Sequence, residues 1–358
     1  MALQRVSILG LGLIGGSIAR SLKNSNQEYE ILGFDKPEVL RKALKENVID
    51  SGLQNIRDSL VSDIIFLCLP VDESLKSFEN LIPLLKPGQV ITDVCGVKSV
   101  FQEIWNRAGS KGIYAGGHPM TGKESSGFEN SDPYLFENSV YILSENESNS
   151  GIEPLIQVIK LLGARIKFLN PKVHDIVVAS VSHLPQLMAV SLINSASLKE
   201  NDINFFDFAA GGFRDMTRIA SSDYKIWDAV FRNNKKNVQM AIDNFINDLL
   251  VLKKLVTSGE SESIAGRFEN ARIRRDEIPR NTKGFINSLF DLFINVKDEP
   301  GVLAKLTTLL FENGIDIKDL ELLKVRQGSG GTFRISFETE SAHSKAKDLL
   351  SNAGFTVT

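Results

Sequence analysis

An α/β chain in three parts is predicted: an N-terminal doubly wound domain on a parallel sheet, an all-α middle domain, and a C-terminal βαββαβ domain. Three observations support this. Short β-branched runs alternate with helical patterns as far as Leu169, the strand signal stops at Pro171, and strands return at Phe290. At 358 residues the chain exceeds what one hydrophobic core serves. The boundaries are read as 1–171, 172–287 and 288–358.

Strands of the first part are expected at Val6–Leu9, Ile31–Phe34, Asp63–Leu69, Val90–Val94, Ile113–Gly116, Val140–Leu143 and Ile166–Leu169. Runs such as Ile64-Ile65-Phe66-Leu67-Cys68-Leu69 are apolar at every position, which suits a parallel sheet with helices on both faces. In the middle part, Val173–Ala196 and Tyr224–Val256 carry wide apolar faces at helical spacing, whereas Ser258–Lys283 is polar enough for a solvated helix or connector. The last part reads as a strand to Val296, a turn at Asp298-Glu299-Pro300-Gly301, and a helix to Asn313. A strand within Ile315–Val325, a hairpin turn at Gly328-Ser329-Gly330-Gly331, a strand to Phe337, a helix over Ser341–Ala353 and a short final strand follow.

A formal net charge of −3, with both signs mixed along the chain, offers no basic face to nucleic acid. No run of about 18 or more apolar residues is seen to span a bilayer. The N-terminus enters a strand pattern in place of a signal peptide, so a cytoplasmic protein is expected. Cys68 and Cys95 lack metal-ligand spacing and are read as reduced thiols, with no metal site.

The first strand runs directly into Gly10-Leu11-Gly12-Leu13-Ile14-Gly15-Gly16-Ser17, and a helix begins at once. In that context Gly10 permits the tight turn, Gly12 lets the backbone approach a pyrophosphate, and Gly15 lets the helix pack on the strand. Amides at the helix start, Leu13 and Ile14 among them, then face the phosphates, as in a Rossmann-type domain. Asp35 ends the second strand where an acidic side chain meets the adenosine ribose. It would repel a 2′-phosphate, which favours NAD over NADP, although the adjacent Lys36 acts in the opposite sense. Pro70 either lines the nicotinamide side or simply stops its strand.

Hydride transfer from an alcohol to NAD needs a neutral base for the hydroxyl proton, and imidazole suits neutral pH. His118 is read as ending a strand at the carboxyl edge of the sheet, opening the loop Pro119-Met120-Thr121-Gly122-Lys123-Glu124. His183, in Ser-His-Leu-Pro185, sits on a helix that the proline should kink and faces either the interdomain cleft or the core. His174 and His343 are read as solvated residues without a role. Gly211-Gly212-Phe213-Arg214-Asp215-Met216-Thr217-Arg218 holds guanidinium groups able to fork a substrate carboxylate. A helix-cap salt bridge between Asp215 and an arginine accounts for the same residues.

Taken together, the glycine turn, His118-Pro-Met-Thr-Gly-Lys-Glu124, Ser-His183-Leu-Pro and Gly211 to Arg218 resemble the prephenate/arogenate dehydrogenase family. The domain containing Asp298 to Gly301 resembles an ACT domain. The resemblance implies that His118 is the base, that Arg218 grips the ring carboxylate and that His183 touches the substrate side chain. Glu124, Gly211 and Asp215 are implied in the surrounding network, and Trp227 is implied to reach a neighbouring subunit's site in a homodimer built on the helical domain. Tyrosine is implied as effector, near Asp298 and Gly301. The sequence departs from the family at Gly96, where many members have a serine near the hydroxyl; water, Cys95 or Lys98 is left to substitute. It departs again at Gln186, which replaces a second histidine. The residues do not separate prephenate from arogenate. Two other readings compete: a hydroxyacid or 6-phosphogluconate-type dehydrogenase, whose lysine-base motif has no match here, and an amino-acid sensor that uses NAD as a second ligand.

Overall fold

The computed structural model describes residues 4–357 except 26, 124, 146–150, 201–202, 278–288, 298 and 327–329. They form two compact units, Met1–Ile264 and Ala265–Thr358. The division read at 171 therefore falls inside the first unit.

In that unit β1 (Gln4–Leu9), β2 (Tyr29–Phe34), β3 (Ser51–Gly52), β4 (Ile64–Leu67), β5 (Val90–Asp93) and β6 (Ile113–Tyr114) form a six-stranded parallel sheet ordered β3-β2-β1-β4-β5-β6. Its crossovers include α1 (Leu13–Asn24), α2 (Pro37–Lys45), α3 (Val71–Leu81) and α4 (Ser99–Ala108). Alternate strand residues bury on opposite faces: Ile8, Ile31, Ile64 and Phe66 join one core, while Leu9, Leu32, Ile65 and Leu67 join the other. That two-sided burial is why β4 is apolar throughout.

The expectation that the parallel sheet runs on through Val140 and Ile166 is corrected. After Tyr114 the chain turns into a separate three-stranded sheet of β7 (Gly117–Pro119), β8 (Val140–Ser144) and β9 (Arg165–Leu169). There β7 pairs antiparallel with β8, and β8 pairs parallel with β9 across α5 (Glu153–Leu161). The cause is local crowding at a double glycine. A Cβ on Gly116 would lie 2.5 Å from the Tyr114 hydroxyl, and one on Gly117 would lie 2.6 Å from the Asp93 carbonyl oxygen. Only bare backbone fits that close against the end of β5.

Pro171 opens α6 (Pro171–Val178), whose first turn the Asn170 side chain caps through the Lys172 amide. Ala179–His183 forms a π-helical turn before α7 (Leu184–Ala196). Pro185 has no N–H to donate four residues back, and the widened turn absorbs that loss, as expected of the proline. Pro171–Ala196 is also 26 residues long with mean hydropathy 1.8 in its best window. This corrects the expectation that no segment is long and apolar enough to cross a membrane. Only 28% of that window is buried within the chain, which leaves an apolar face to be covered.

A short hairpin of β10 (Lys199–Glu200) with β11 (Ile203–Asn204), not anticipated from the sequence, precedes α8 (Gly211–Thr217), α9 (Tyr224–Asn233) and α10 (Lys235–Ser258). Asp223 caps α9 through the Lys225 amide, and Gly259 at φ +72° ends α10 in left-handed geometry. The polar stretch that follows is the exposed helix α11 (Ser261–Asp276).

In the second unit β12 (Phe290–Val296), α12 (Val302–Glu312), β13 (Asp319–Arg326), β14 (Gly330–Phe337), α13 (Glu340–Asn352) and β15 (Thr356–Val357) follow the expected order. The sheet is ordered β13-β14-β12-β15 and is antiparallel at every pairing. Leu292, Ile294, Ile335 and Phe337 pack against Leu306, Leu310, Ala346 and Leu350 of the two helices. Of the hairpin turn expected at Gly328-Ser329-Gly330-Gly331, Gly328 and Ser329 lie outside the described residues, and Gly330 and Gly331 begin β14.

Candidate active site

The glycine turn has the geometry its residues foretell. Gly10 takes φ +99°, and a Cβ there would meet the Cys68 carbonyl oxygen at 2.5 Å. A Cβ on Gly15 would lie 1.9 Å from the Gly10 carbonyl oxygen. Gly12, by contrast, faces nothing within 4 Å. It also begins α1 without any side-chain cap, which leaves the first amides of the helix, at Leu13 and Ile14, without an intrahelical acceptor and ready for an anion. Asp35 pins the turn: its Oδ2 accepts from the Leu11 amide at 2.6 Å, and its Oδ1 from the Lys36 amide at 2.7 Å. Pro70 is exposed at the start of α3, just past the end of β4. An open cradle of amides with an acidic residue at its edge fits a dinucleotide without crowding.

Along the same edge of the sheet, β5 ends in a buried polar knot. Asp93 Oδ1 accepts from the Lys98 ammonium and, at 2.9 Å, from the Cys95 amide, while Asp93 Oδ2 accepts from the Tyr114 hydroxyl at 2.9 Å. Lys98 is 1% exposed and also donates to the Val97 carbonyl, so its ammonium is committed. Burial raises the Cys95 thiol to about 12 and the Cys68 thiol well above its usual range, and both sulfurs are free. Neither Lys98 nor Cys95 is therefore presented as a substitute for the serine expected at Gly96. A Cβ on Gly96 would sit 3.8 Å from Cε1 and Nε2 of His118, an ordinary contact with room for a side chain.

His118 lies within β7, paired with Ile142 of the second sheet, and not at the end of a strand of the parallel sheet. Its Nδ1 is 2.8 Å from His174 Nε2, and His174 Nδ1 is 2.9 Å from Asp175 Oδ1. Asp175 in turn accepts from the Lys98 amide at 2.8 Å and the Ser99 amide at 2.9 Å, capping α4 from another element. His174 was read as solvated and without a role; it is fully buried, which corrects that reading. The lone signal available was its neighbour, since a carboxylate beside a histidine on an apolar helix must find partners once buried.

Burial, reinforced by His174 and Lys98, holds the His118 pKa well below the ordinary imidazole range, and burial lowers His174 as well. His183, 2% exposed, is pushed down to about 4, chiefly by burial. It occupies the π turn, its Nδ1 3.3 Å from Asn234 Nδ2, which also donates to the Asp175 carbonyl at 2.7 Å. Trp227 and Phe231 on α9 approach the His183 ring edge-on at 6.0 and 6.4 Å. The buried Trp227 Nε1 has no acceptor within its own chain among the described residues. Gln186 is buried and donates to the Ile219 carbonyl at 3.0 Å, fastening α7 to the turn that begins with Arg218.

Arg218 is exposed there, and Gly211 opens α8 with free space above it. Asp215 is exposed and has no ion-pair partner among the described residues, contrary to the capping salt bridge considered above. Glu124 and Asp298 lie outside the described residues. Gly301 takes φ +84° at the start of α12. His343 lies in the second unit near the rings of Phe290 and Phe337. The structure thus joins His118, Gly96 and the buried His174 in one cluster and brings His183 against Trp227, while Gln186 is fastened separately to the Ile219 carbonyl.

A doubly wound sheet with an open glycine cradle, a neutral histidine beside the same edge and a helical segment behind it define an NAD-linked dehydrogenase. Comparison with known proteins narrows this. Residues 18–168 match the family model described as prephenate dehydrogenase, nucleotide-binding domain, and residues 170–270 match prephenate dehydrogenase, dimerization domain. The chain belongs to the prephenate dehydrogenase family. It is 35% identical to prephenate dehydrogenase of Lactococcus lactis subsp. cremoris over 99% of this chain and 100% of that one. It is 32% identical to that of Bacillus subtilis over 96% and 95%. Among solved structures, prephenate dehydrogenase of A. aeolicus in complex with hydroxyphenyl propionate and NAD+ superposes with a TM-score of 0.71 at 32% identity. It covers 78% of this chain and 99% of that one. Synechocystis arogenate dehydrogenase gives 0.66 at 27%, covering 76% and 99%.

Proposed function

We propose that this enzyme, an NAD-dependent prephenate dehydrogenase, carries out its oxidative decarboxylation with His118 as the base. The observation that carries the assignment is the neutral imidazole of His118, tied at Nδ1 and with its Nε2 edge beside Gly96 at the carboxyl end of β5. Bound NAD supplies the hydride acceptor; Gly10, Gly12, Leu13, Ile14 and Gly15 cradle its pyrophosphate, Asp35 meets the ribose, and Pro70 borders the nicotinamide side. His118 Nε2 takes the proton of the ring C4 hydroxyl as hydride leaves that carbon. The carbonyl forms, and the ring carboxylate departs as carbon dioxide, its bonding pair completing the aromatic ring of 4-hydroxyphenylpyruvate. Aromaticity drives the last step, so positioning is the enzyme's main contribution. Arg218 holds the ring carboxylate through its fork and His183 borders the substrate side chain, within a network completed by Glu124, Gly211, Asp215 and Trp227.

The chain works as a homodimer built on its helical part. An apolar groove between α7 and α10, lined by Leu184, Leu187, Met188, Ile242, Phe245 and Leu249, supports this, as does the match of 170–270 to a dimerization domain. The residues divide functionally into a nucleotide domain over 1–171, a helical domain over 172–287 and an ACT-type regulatory domain over 288–358. Tyrosine, bound near Asp298 and Gly301, restrains the enzyme, and tyrosine synthesis in the cytoplasm is its setting. A second reading, arogenate as substrate, is favoured by the likeness to the Synechocystis enzyme. One assay tests the activity, its cofactor, its substrate and its response to tyrosine: NAD reduction followed with prephenate and with arogenate, with NADP as control and tyrosine added. Prephenate-dependent NADH formation with release of carbon dioxide is expected, and none with either substrate would refute the reading.

A further inference from the structure

Four hydrogen bonds fix the protonation pattern around His118. Asp175 is an acceptor only, already holding the Lys98 amide at 2.8 Å and the Ser99 amide at 2.9 Å, so the 2.9 Å contact to His174 Nδ1 needs the proton on that nitrogen. Neutral His174 then has its lone pair on Nε2. The 2.8 Å contact to His118 Nδ1 therefore needs the proton on His118. Neutral His118 is left with its lone pair on Nε2, the atom beside Gly96. Each link follows from the one before it, and the series begins at a carboxylate that is 1% exposed.

We propose that His174 and Asp175 are positioning residues for the oxidation, holding His118 in the one tautomer whose Nε2 accepts the substrate proton and sharing the positive charge that then develops. The proposal rests on His118 being the base. The proton moves from the substrate oxygen to His118 Nε2 and the hydride to the bound nicotinamide. The protons on His118 Nδ1 and His174 Nδ1 stay where they are. A histidine, not a carboxylate, touches the base directly, and the carboxylate of Asp175 stands one ring further away. This keeps His118 from being drawn toward permanent protonation, as a directly bonded carboxylate would do.

The test uses the full-length enzyme with His174→Phe and His174→Gln. Phenylalanine fills the space but cannot accept from His118 Nδ1, whereas the glutamine carbonyl oxygen can. The phenylalanine variant is expected to lose about 10²-fold in kcat, with KM for substrate and for NAD within about threefold of the parent. The glutamine variant is expected to recover to within about tenfold of the parent kcat. A phenylalanine variant that turns over at the parent rate, or a glutamine variant no better than it, overturns the proposal. Thermal melting and NAD titration check the fold, and His174→Leu makes the same comparison if the phenylalanine variant does not fold. His118→Asn separates the two claims. Normal turnover there would sink the base itself, whereas an inactive His118→Asn beside a fully active His174→Phe would sink only the positioning role.

Discussion

Burying His183 neutral ties the stability of the protein to pH in a way that can be worked through. The perturbation is acidification from about pH 8 to about pH 5, compared in the parent and in His183→Gln. The folded pKa is depressed, to about 4 from the usual 6.5. The stability held by the neutral form is therefore complete above the unfolded value and is lost as pH falls toward the folded one. At about pH 5 the unfolded chain holds close to one more proton on this ring than the folded chain. Integrating that difference at about 1.4 kcal/mol per pH unit gives a loss of about 2 kcal/mol from this residue. His118 and His174, also lowered chiefly by burial, add to the acid loss in both proteins, and only the minor part of the His118 shift that comes from His183 differs between them. Urea unfolding followed by tryptophan fluorescence at both pH values measures it. The glutamine variant should be less stable at high pH, because a buried ring is lost, but its stability should fall by about 2 kcal/mol less on acidification. Parallel losses would refute the neutral burial of His183.

Three further outcomes follow from the site. His118→Asn is expected to retain NAD affinity while turnover drops by about 10²- to 10⁴-fold, as NADH formation and NAD titration will report. Arg218→Ala should raise KM for the substrate by roughly 10- to 100-fold, the loss of one or two charge-assisted hydrogen bonds, with KM for NAD unchanged. A uniform effect on both would place the arginine elsewhere. Gly15→Ala should abolish NAD binding, since its Cβ would lie 1.9 Å from a carbonyl oxygen of the cofactor turn. Calorimetric titration with NAD checks this, and tight binding would show that the turn tolerates a side chain.

Much of the architecture was legible because its signals are local. The glycine turn, the apolar strands, the helix start at Pro171, the disturbed turn before Pro185 and the βαββαβ order of the last unit are each written in consecutive residues. What escaped depends on partners far along the chain. Strands Val140–Ser144 and Arg165–Leu169 read as strands, but their assignment to a second sheet depends on how tightly Gly116 presses against the Tyr114 hydroxyl and Gly117 against the Asp93 carbonyl. His174 looked like a solvated histidine because nothing within its own helix announces a ring 56 positions earlier at hydrogen-bond distance. Lys98 stands in the sequence as a candidate to replace the serine contact at Gly96, yet Asp93 and the Val97 carbonyl hold its ammonium. Arg218 and Trp227 were located by resemblance, and their neighbours became visible only once α7, α8 and α9 were folded together.

His118 lies within the segment 18–168 matched by one family model, and His174 with Asp175 lies just inside the segment 170–270 matched by the next. The proposed base and its proposed support thus fall on either side of the boundary between the two matched segments. A hybrid that took its first 171 residues from one relative and the remainder from another would inherit base and support from different parents. Such grafts should succeed only where the join lies downstream of Asp175, or where both parents carry the same histidine–aspartate pair at that register. On that proposal, the residues that must be inherited together span both matched segments while lying inside the first compact unit.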